Sequence, residues 1–274
     1  MEQEVRVPTQ QGNGQGGRKR KKHKKGGQGQ GQGGQKPQQQ NKPAPQQPVQ
    51  NQQKPSKNQK KKQKNNKPND NRKDTYAYVI DGTMYVNLTN KCSNGCDFCV
   101  RNERTSYSGY DLWLKKGDPT AEKVVEEIKA QGGAAAFKEI VFCGFGEPTY
   151  RMAEMLAICD YAHAEGVKTR LNTNGQGCLI NKRDIVPELK DKIDFVNVSL
   201  NAPDAESYQK ICRSMFKEDG FTAMVEFAKA LKRNKIPCRF SVVDYIGEDA
   251  VAACKKVAEG AGVPLYIRAY INEE

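Results

Sequence analysis

Histidine is nearly absent: the 274 residues hold two, His23 and His163. Chemistry that depends on imidazole, such as a Ser-His-Asp triad or a two-His zinc site, is nearly excluded by that count. No run approaches the roughly 20 apolar residues that a membrane span needs. No Arg-rich amphipathic leader and no apolar signal core opens the chain. Nine cysteines without an export signal point to a reducing compartment, where thiols stay free or bind metal. A cytoplasmic protein with no membrane partner is expected.

Residues 1–73 lack aromatics and carry almost no large apolar side chain. They cannot bury enough surface to offset the entropy of ordering, so a disordered basic tail rich in Gln, Lys, Gly and Pro is expected. This stretch holds 19 Lys/Arg against 3 acids, a net of +16. The whole chain is +13, so residues 74–274 sum to −3 and form a mildly acidic domain. Two basic knots stand out, Arg18–Lys25 and Lys60–Lys64. Without aromatics, base stacking is unavailable, and salt-sensitive, sequence-blind attraction to phosphate remains. The tail reads equally as a solubilising segment or as a tether to RNA or a ribosome. About 200 residues remain for one well-buried domain.

Just after the strand-like run Met84–Leu88 stand Cys92, Cys96 and Cys99 in a C-x3-C-x2-C spacing. One short loop can wrap a single inorganic centre with these thiolates. A structural zinc site wants a fourth Cys or His at short range; the nearest histidine is His163. Three thiolates suit an iron–sulfur cubane in which one iron is left to an exogenous ligand. A methionine-type amino acid group, with its amine and carboxylate, would serve there. Spacing alone leaves a zinc knuckle and a loop of reduced cysteines open.

Elsewhere the pattern alternates strand and helix. Tyr76–Ile80 and Met84–Leu88 flank Asp81-Gly82, a hairpin signal. A helix is expected from near Pro119, a strand over Glu139–Cys143, a helix over Met152–Glu165 and a strand over Val167–Asn172. A short helix near Ile185–Leu189 precedes a strand over Phe195–Leu200, and helices follow at Ala205–Cys212 and Phe221–Lys232. The last units are a strand at Cys238–Val243, a helix at Asp249–Gly260 and a strand at Pro264–Ile267; no closing helix is expected after it. Six strands from Met84 onward, joined mostly by helices, predict an α/β fold with a parallel sheet. The segment Arg104–Gly117 is long for such a connection, and reads as a substrate lid or a short apolar helix over the cysteine loop.

Polar and glycine-rich signatures recur at the carboxyl end of successive strands: the cysteine loop, Gly144-Phe145-Gly146-Glu147-Pro148-Thr149, Asn172-Thr173-Asn174-Gly175 and Ser199-Leu200-Asn201-Ala202-Pro203. Sites in barrels and parallel sheets assemble at those ends. The glycine-flanked turn can bring carbonyls and Glu147 near an ammonium, although most such turns are merely turns. Ser199 and Asn201, two apart on a strand, would share a face and reach ribose hydroxyls or neighbouring backbone.

The cysteine triplet, with Phe98 before its third member and Gly-Phe-Gly-Glu-Pro one unit later, resembles the radical S-adenosylmethionine (radical SAM) superfamily over about residues 76–270. The stretches Asn87–Asn90, Gly109–Leu114 and Asp184–Leu189 look like its TatD-associated subgroup. The resemblance implies a partial (β/α)6 TIM-type barrel for residues 74–274, preceded by the tail of residues 1–73. It implies a [4Fe–4S] cluster on Cys92, Cys96 and Cys99, with S-adenosylmethionine (SAM) on its fourth iron. Gly144, Gly146, Glu147 and Pro148 would receive the SAM amine, and Phe98 would lie near adenine. Asn174, Ser199 and Asn201 would be polar cofactor contacts, and Val243 with Val242 an apolar one. Reductive cleavage of SAM to a 5′-deoxyadenosyl radical, hydrogen abstraction from an unknown substrate and a flavodoxin- or ferredoxin-type electron donor follow. A non-catalytic iron–sulfur sensor that docks on nucleic acid through the tail is the alternative. Arg101 and Arg170 are candidates for a carboxylate. The six other cysteines read as buried small apolar residues, with Cys178 and Cys212 on the active-site side.

Overall fold

A tight turn joins the first two strands of the computed structural model, which describes residues 73–270. Asp81 and Gly82 both take left-handed backbone angles (φ 50° and 74°), the pair that a two-residue hairpin requires. They join β1 (Ala77–Ile80) to β2 (Thr83–Val86) as an antiparallel pair. From β2 onward every neighbouring pair is parallel, through β5 (Ile140–Phe142), β6 (Thr169–Thr173), β7 (Phe195–Ser199), β8 (Cys238–Val243) and β9 (Leu265–Arg268). The sheet order is β1-β2-β5-β6-β7-β8-β9, so the six parallel strands follow one another without a reversal. That monotonic order is a barrel's, not a doubly wound sheet's. With β1 at one edge and β9 at the other the barrel stays open.

The connections are helical: α1 (Ala121–Ala130), α2 (Met152–Ala164), α3 (Gly177–Asn181), α4 (Val186–Leu189), α5 (Ala205–Cys212), α6 (Asp219–Arg233) and α7 (Glu248–Ala261). Two begin on side-chain caps: Thr120 accepts from Lys123 N at 3.4 Å, and Asp204 from Ser207 N at 2.8 Å. Alternate strand residues Met84, Val86, Ile140, Phe142, Leu171, Val196, Val198, Phe240 and Val242 pack with the helices into one core. The intervening residues turn to the concave face, where Tyr85, Val141, Phe195 and Val243 stand with the polar Arg170, Asn172, Asn197, Ser199, Arg239 and Ser241.

The expected strands and longer helices are all present, with ends displaced by a residue or two. Two elements differ. The segment Arg104–Gly117 forms no helix. It folds as a short hairpin of β3 (Ser106–Tyr107) and β4 (Tyr110–Asp111), because Ser108 and Gly109 supply two consecutive left-handed residues (φ 47° and 81°). Its Leu112 packs with Tyr78 and with Phe145 of the glycine-rich turn. The second difference is α3, unforeseen within a polar, glycine-rich stretch. The expectation for residues 1–73 lies outside the described residues, apart from Lys73. Among the described residues, no helix is long and apolar enough to cross a membrane.

Candidate active site

The cysteine loop is pinned on three sides by backbone bonds. Gly95 N and Asp97 N donate to Cys212 O and Ile211 O at the end of α5 (2.9 and 3.0 Å). Met215 N donates to Ser93 O at 2.8 Å, and Glu147 N to Lys91 O at 2.7 Å. The Arg213 and Asp97 side chains form an ion pair over the same contact. The loops that follow β2, β5 and β7 therefore meet at one end of the sheet.

A buried polar network supports that junction from below. Asn94 Nδ2 donates to Tyr208 OH at 2.8 Å, and Gln176 Nε2 donates to both Asn94 Oδ1 and Tyr208 OH at 3.0 Å. Asn174 Nδ2 donates to Ser93 Oγ at 2.8 Å and approaches Cys92 Sγ at 3.8 Å. Asn174, expected at a cofactor, here also steadies the cysteine loop. Gln176 and Tyr208 were not singled out from sequence. Tyr208 stands four residues before Cys212 on α5, hence on the same side of that helix, and this spacing was the available signal.

Arg101, expected at a carboxylate, instead clamps three backbone segments. Its Nη1 donates to Asn90 O (3.0 Å) and Phe145 O (3.1 Å), and its Nη2 to Asn94 O (3.1 Å). The planar guanidinium, with five N–H donors in a fixed fork, serves all three carbonyls at once. Arg101→Leu should therefore destabilise the apoprotein by about 2–4 kcal/mol and lower its iron retention. Arg101→Lys should recover a minor part, as read by urea unfolding and iron per chain. Arg170 lies lower in the barrel, paired with Glu139 at 2.6 and 3.1 Å.

The glycines of Gly144-Phe145-Gly146 serve close approach of chain to chain. A Cβ on Gly144 would meet Asn87 Oδ1 at 2.2 Å, and one on Gly146 would meet Thr89 O at 2.2 Å. Glu147 is buried and accepts from Thr149 N, Thr149 Oγ1, Thr173 Oγ1 and Asn174 N at 2.7–3.2 Å. Burial raises its pKa against the pull of those donors. Pro148 opens a 3-10 turn, Pro148–Arg151, in which Pro148 and Thr149 are buried.

Around the mouth, Phe98 meets Tyr245, just beyond β8, with ring centres 5.7 Å apart, and Tyr245 meets Tyr270 at 5.2 Å. Val243 ends β8 on the concave side, whereas Val242 belongs to the helix-side core. Ser199 and Asn201 do not share a strand face: the strand ends at Ser199, and Asn201 turns left-handed at φ 58°. Asn201 is nonetheless buried, and its Oδ1 has no hydrogen-bond partner among the described residues. Cys178 is not drawn in; its thiol lies 3.8 Å from Asp184 Oδ1.

Burial pushes the Cys92 thiol up to about 12, with the Glu147 charge adding to it. Cys96 is raised by its hydrogen bond to Cys212 and then by burial, and Cys99 by burial. Metal ligation must therefore displace protons from these thiols. Among the described residues no three Cys, His, Asp or Glu side chains converge on a single ion. Ligands of a cubane bind different irons and need no such convergence. Three thiols on one pinned loop, with Asn174 Nδ2 3.8 Å from Cys92 Sγ, fit a cluster with a polar cofactor.

No curated protein matches the chain in sequence. The structure is similar to that of histidine-tagged anSMEcpe with bound AdoMet, at a TM-score of 0.53 and 18% identity over 69% of this chain and 52% of that one. Native anSMEcpe with bound AdoMet gives 0.51 and 17% over the same shares. Streptococcus suis SuiB bound to S-adenosylmethionine gives 0.47 and 17%, over 68% of this chain and 40% of that one. The chain thus spans about half the length of anSMEcpe, and at these identities the likeness is one of fold. The radical SAM superfamily model matches residues 86–250, more than half of the chain, and takes in the cysteine loop. The chain therefore belongs to the radical SAM superfamily, enzymes that work with a [4Fe–4S] cluster and S-adenosylmethionine.

Proposed function

We propose that this enzyme reductively cleaves SAM at a [4Fe–4S] cluster held by Cys92, Cys96 and Cys99, and turns the product on a separate substrate. The observation that carries this reading is the meeting of the cysteine loop with the Gly144–Pro148 turn, the end of β6 and the end of α5, the helix that follows β7. When bound, the cluster and SAM supply one-electron cleavage of the sulfonium, giving methionine and a 5′-deoxyadenosyl radical for hydrogen abstraction. The protein's own residues position these groups and keep water away. The carbonyls of the Gly144–Pro148 turn offer acceptors for an ammonium. Asn201 Oδ1, buried without a partner among the described residues, and Ser199 offer polar contacts where β7 ends. Phe98 and Val243 line the mouth with apolar surface, and Asn174 keeps the cysteine loop in place.

Anaerobic reconstitution followed by reduction with SAM tests the proposal. Wild type is expected to form 5′-deoxyadenosine, and Cys96→Ala to form none above background. Equal yields from the two would overturn it and favour a cluster-bearing sensor. A flavodoxin- or ferredoxin-type donor is proposed for the electron. The stretches Asn87–Asn90, Gly109–Leu114 and Asp184–Leu189 lead us to place the chain in the TatD-associated branch. The +16 charge of residues 1–73 supports a separate role for them, tethering the catalytic domain of residues 74–274 to RNA or a ribosome.

A further inference from the structure

Beneath the mouth, the concave face of the sheet carries guanidiniums in excess of carboxylates. Arg170 is matched by Glu139, as described. Arg239 is not matched: its Nε donates to Asn197 Oδ1 at 2.8 Å, and among the described residues its Nη groups bond nothing. Its plane is held by two rings, with the guanidinium carbon 4.2 Å from the centre of Tyr266 and 5.5 Å from that of Phe195. An arginine held through Nε and flanked by two rings presents its Nη groups in a limited set of directions. Arg268, aligned with Val243 in the β8–β9 register, has no acidic partner among the described residues either. Burial, and then the charges of Arg170 and Arg268, push the Arg239 pKa below its ordinary value, against opposing pulls from Tyr266 and Glu139. A partly desolvated cation beside like charges is unfavourable unless an anion joins it.

Asn172, Asn197 and Arg239 stand side by side across β6, β7 and β8, and Asn172 Oδ1 is also buried without a partner among the described residues. Arg239 lies four residues before Val243, about 13 Å along the strand. We infer that the concave face binds a substrate by an oxyanion, a carboxylate or a phosphate, seated on Arg239 beneath the cofactor mouth, with Arg268 above it at the level of Val243 adding its charge. This rests on the reading under Proposed function, since only there does the concave face hold a substrate. The planar fork of Arg239 suits two oxygens of either anion, and Asn172 Oδ1 can accept from a hydroxyl or amine on the same molecule.

The test uses the full chain, cluster-loaded, anaerobic and saturated with SAM, titrated calorimetrically with inorganic phosphate and, separately, with citrate. Saturable binding of at least one anion is expected, weakened roughly tenfold or more in Arg239→Gln and less in Arg239→Lys. Binding confined to phosphate would mark a phosphoryl substrate, and binding confined to citrate a carboxylate one. Thermal melts check that the variants fold. Arg268→Gln, on the exposed end of β9, gives the same reading should Arg239→Gln unfold. The basic tail is common to every variant, so its own anion binding cancels in the comparison. Equal affinity in wild type, Arg239→Gln and Arg268→Gln overturns the inference, as does competition between either anion and SAM. Wild type is assayed alongside for 5′-deoxyadenosine. Its formation without Arg239-dependent anion binding sinks the anion site alone. Its absence with that binding intact sinks the radical reading and leaves the anion site standing.

Discussion

Gly146→Ala is expected to destabilise the apoprotein by more than about 3 kcal/mol and to leave it unable to retain iron. The new Cβ would lie 2.2 Å from Thr89 O, 2.6 Å from Lys91 O and 2.8 Å from the Thr89 carbonyl carbon. All three are backbone atoms, which cannot swing aside as a side chain does. The segment they belong to leads into Cys92, and it is tied to the glycine-rich turn by the bond from Glu147 N to Lys91 O. Relief of the clash must therefore separate the turn from the cysteine loop, and Arg101, which spans Asn90 O and Phe145 O, would lose its reach. The backbone of Gly146 needs no left-handed angle, so the cost is one of space. Gly109 makes the opposite case, with φ 81° and nothing within 4 Å of a Cβ. Gly109→Ala should cost about 1 kcal/mol and leave iron content unchanged. Urea unfolding and iron per chain read both variants. Near-native iron retention by Gly146→Ala would show that turn and loop need not touch.

The residues that were legible in the sequence are those whose partners are near in the chain or whose spacing is a chemical requirement. Asp81-Gly82 fixes its hairpin through its own backbone angles. Val124 and Ile128 fall four apart on α1 and face the core, as helical spacing demands. The three cysteines and the glycine-rich turn come at strand ends because a parallel sheet offers its loops there. What escaped notice depends on distant partners. The Gly177–Asn181 helix follows a glycine in a polar run and reads as loop. It is held by Asn181 Nδ2 donating to Thr149 O at 2.9 Å and by Gly177 fitting against Ile185 and Thr149. Arg101 looks like any basic residue near a site until its targets 11, 44 and 7 positions away come together. Arg239 carries no motif at all, and only strand register sets it between Tyr266 and Phe195. Alternation predicts a shared strand face for Ser199 and Asn201, but the strand ends first, and alternation cannot be extended past a left-handed residue.

Glu147 shows how far such long-range ties shape the site, and it carries the last large effect. Its carboxylate, 3% exposed, joins the turn after β5 to the end of β6. It accepts from Thr173 Oγ1 at 2.7 Å, Asn174 N at 2.8 Å, Thr149 Oγ1 at 2.8 Å and Thr149 N at 3.2 Å. Asn174 in turn holds Ser93 in the cysteine loop, so the carboxylate acts on the candidate cluster ligands through one intermediary. Glu147→Ala strands four buried donors and should cost about 3–5 kcal/mol together with iron retention. Glu147→Gln keeps one acceptor oxygen but turns an amide N–H toward existing donors, for about 2 kcal/mol. The pH dependence separates burial from simple bond loss. Burial raises the carboxyl pKa in the folded protein above its unfolded value. Between the two values the native state holds a proton that the unfolded chain has released. The stability contributed by this group is then complete below the unfolded pKa and is lost as pH rises through the folded one. Glutamine does not titrate. The margin of wild type over Glu147→Gln, measured by urea unfolding of the apoprotein from acid to neutral pH, should therefore shrink as pH increases. A margin that grew with pH would mean that the four donors outweigh desolvation, and that Glu147 is held ionised as an anchor for the end of β6.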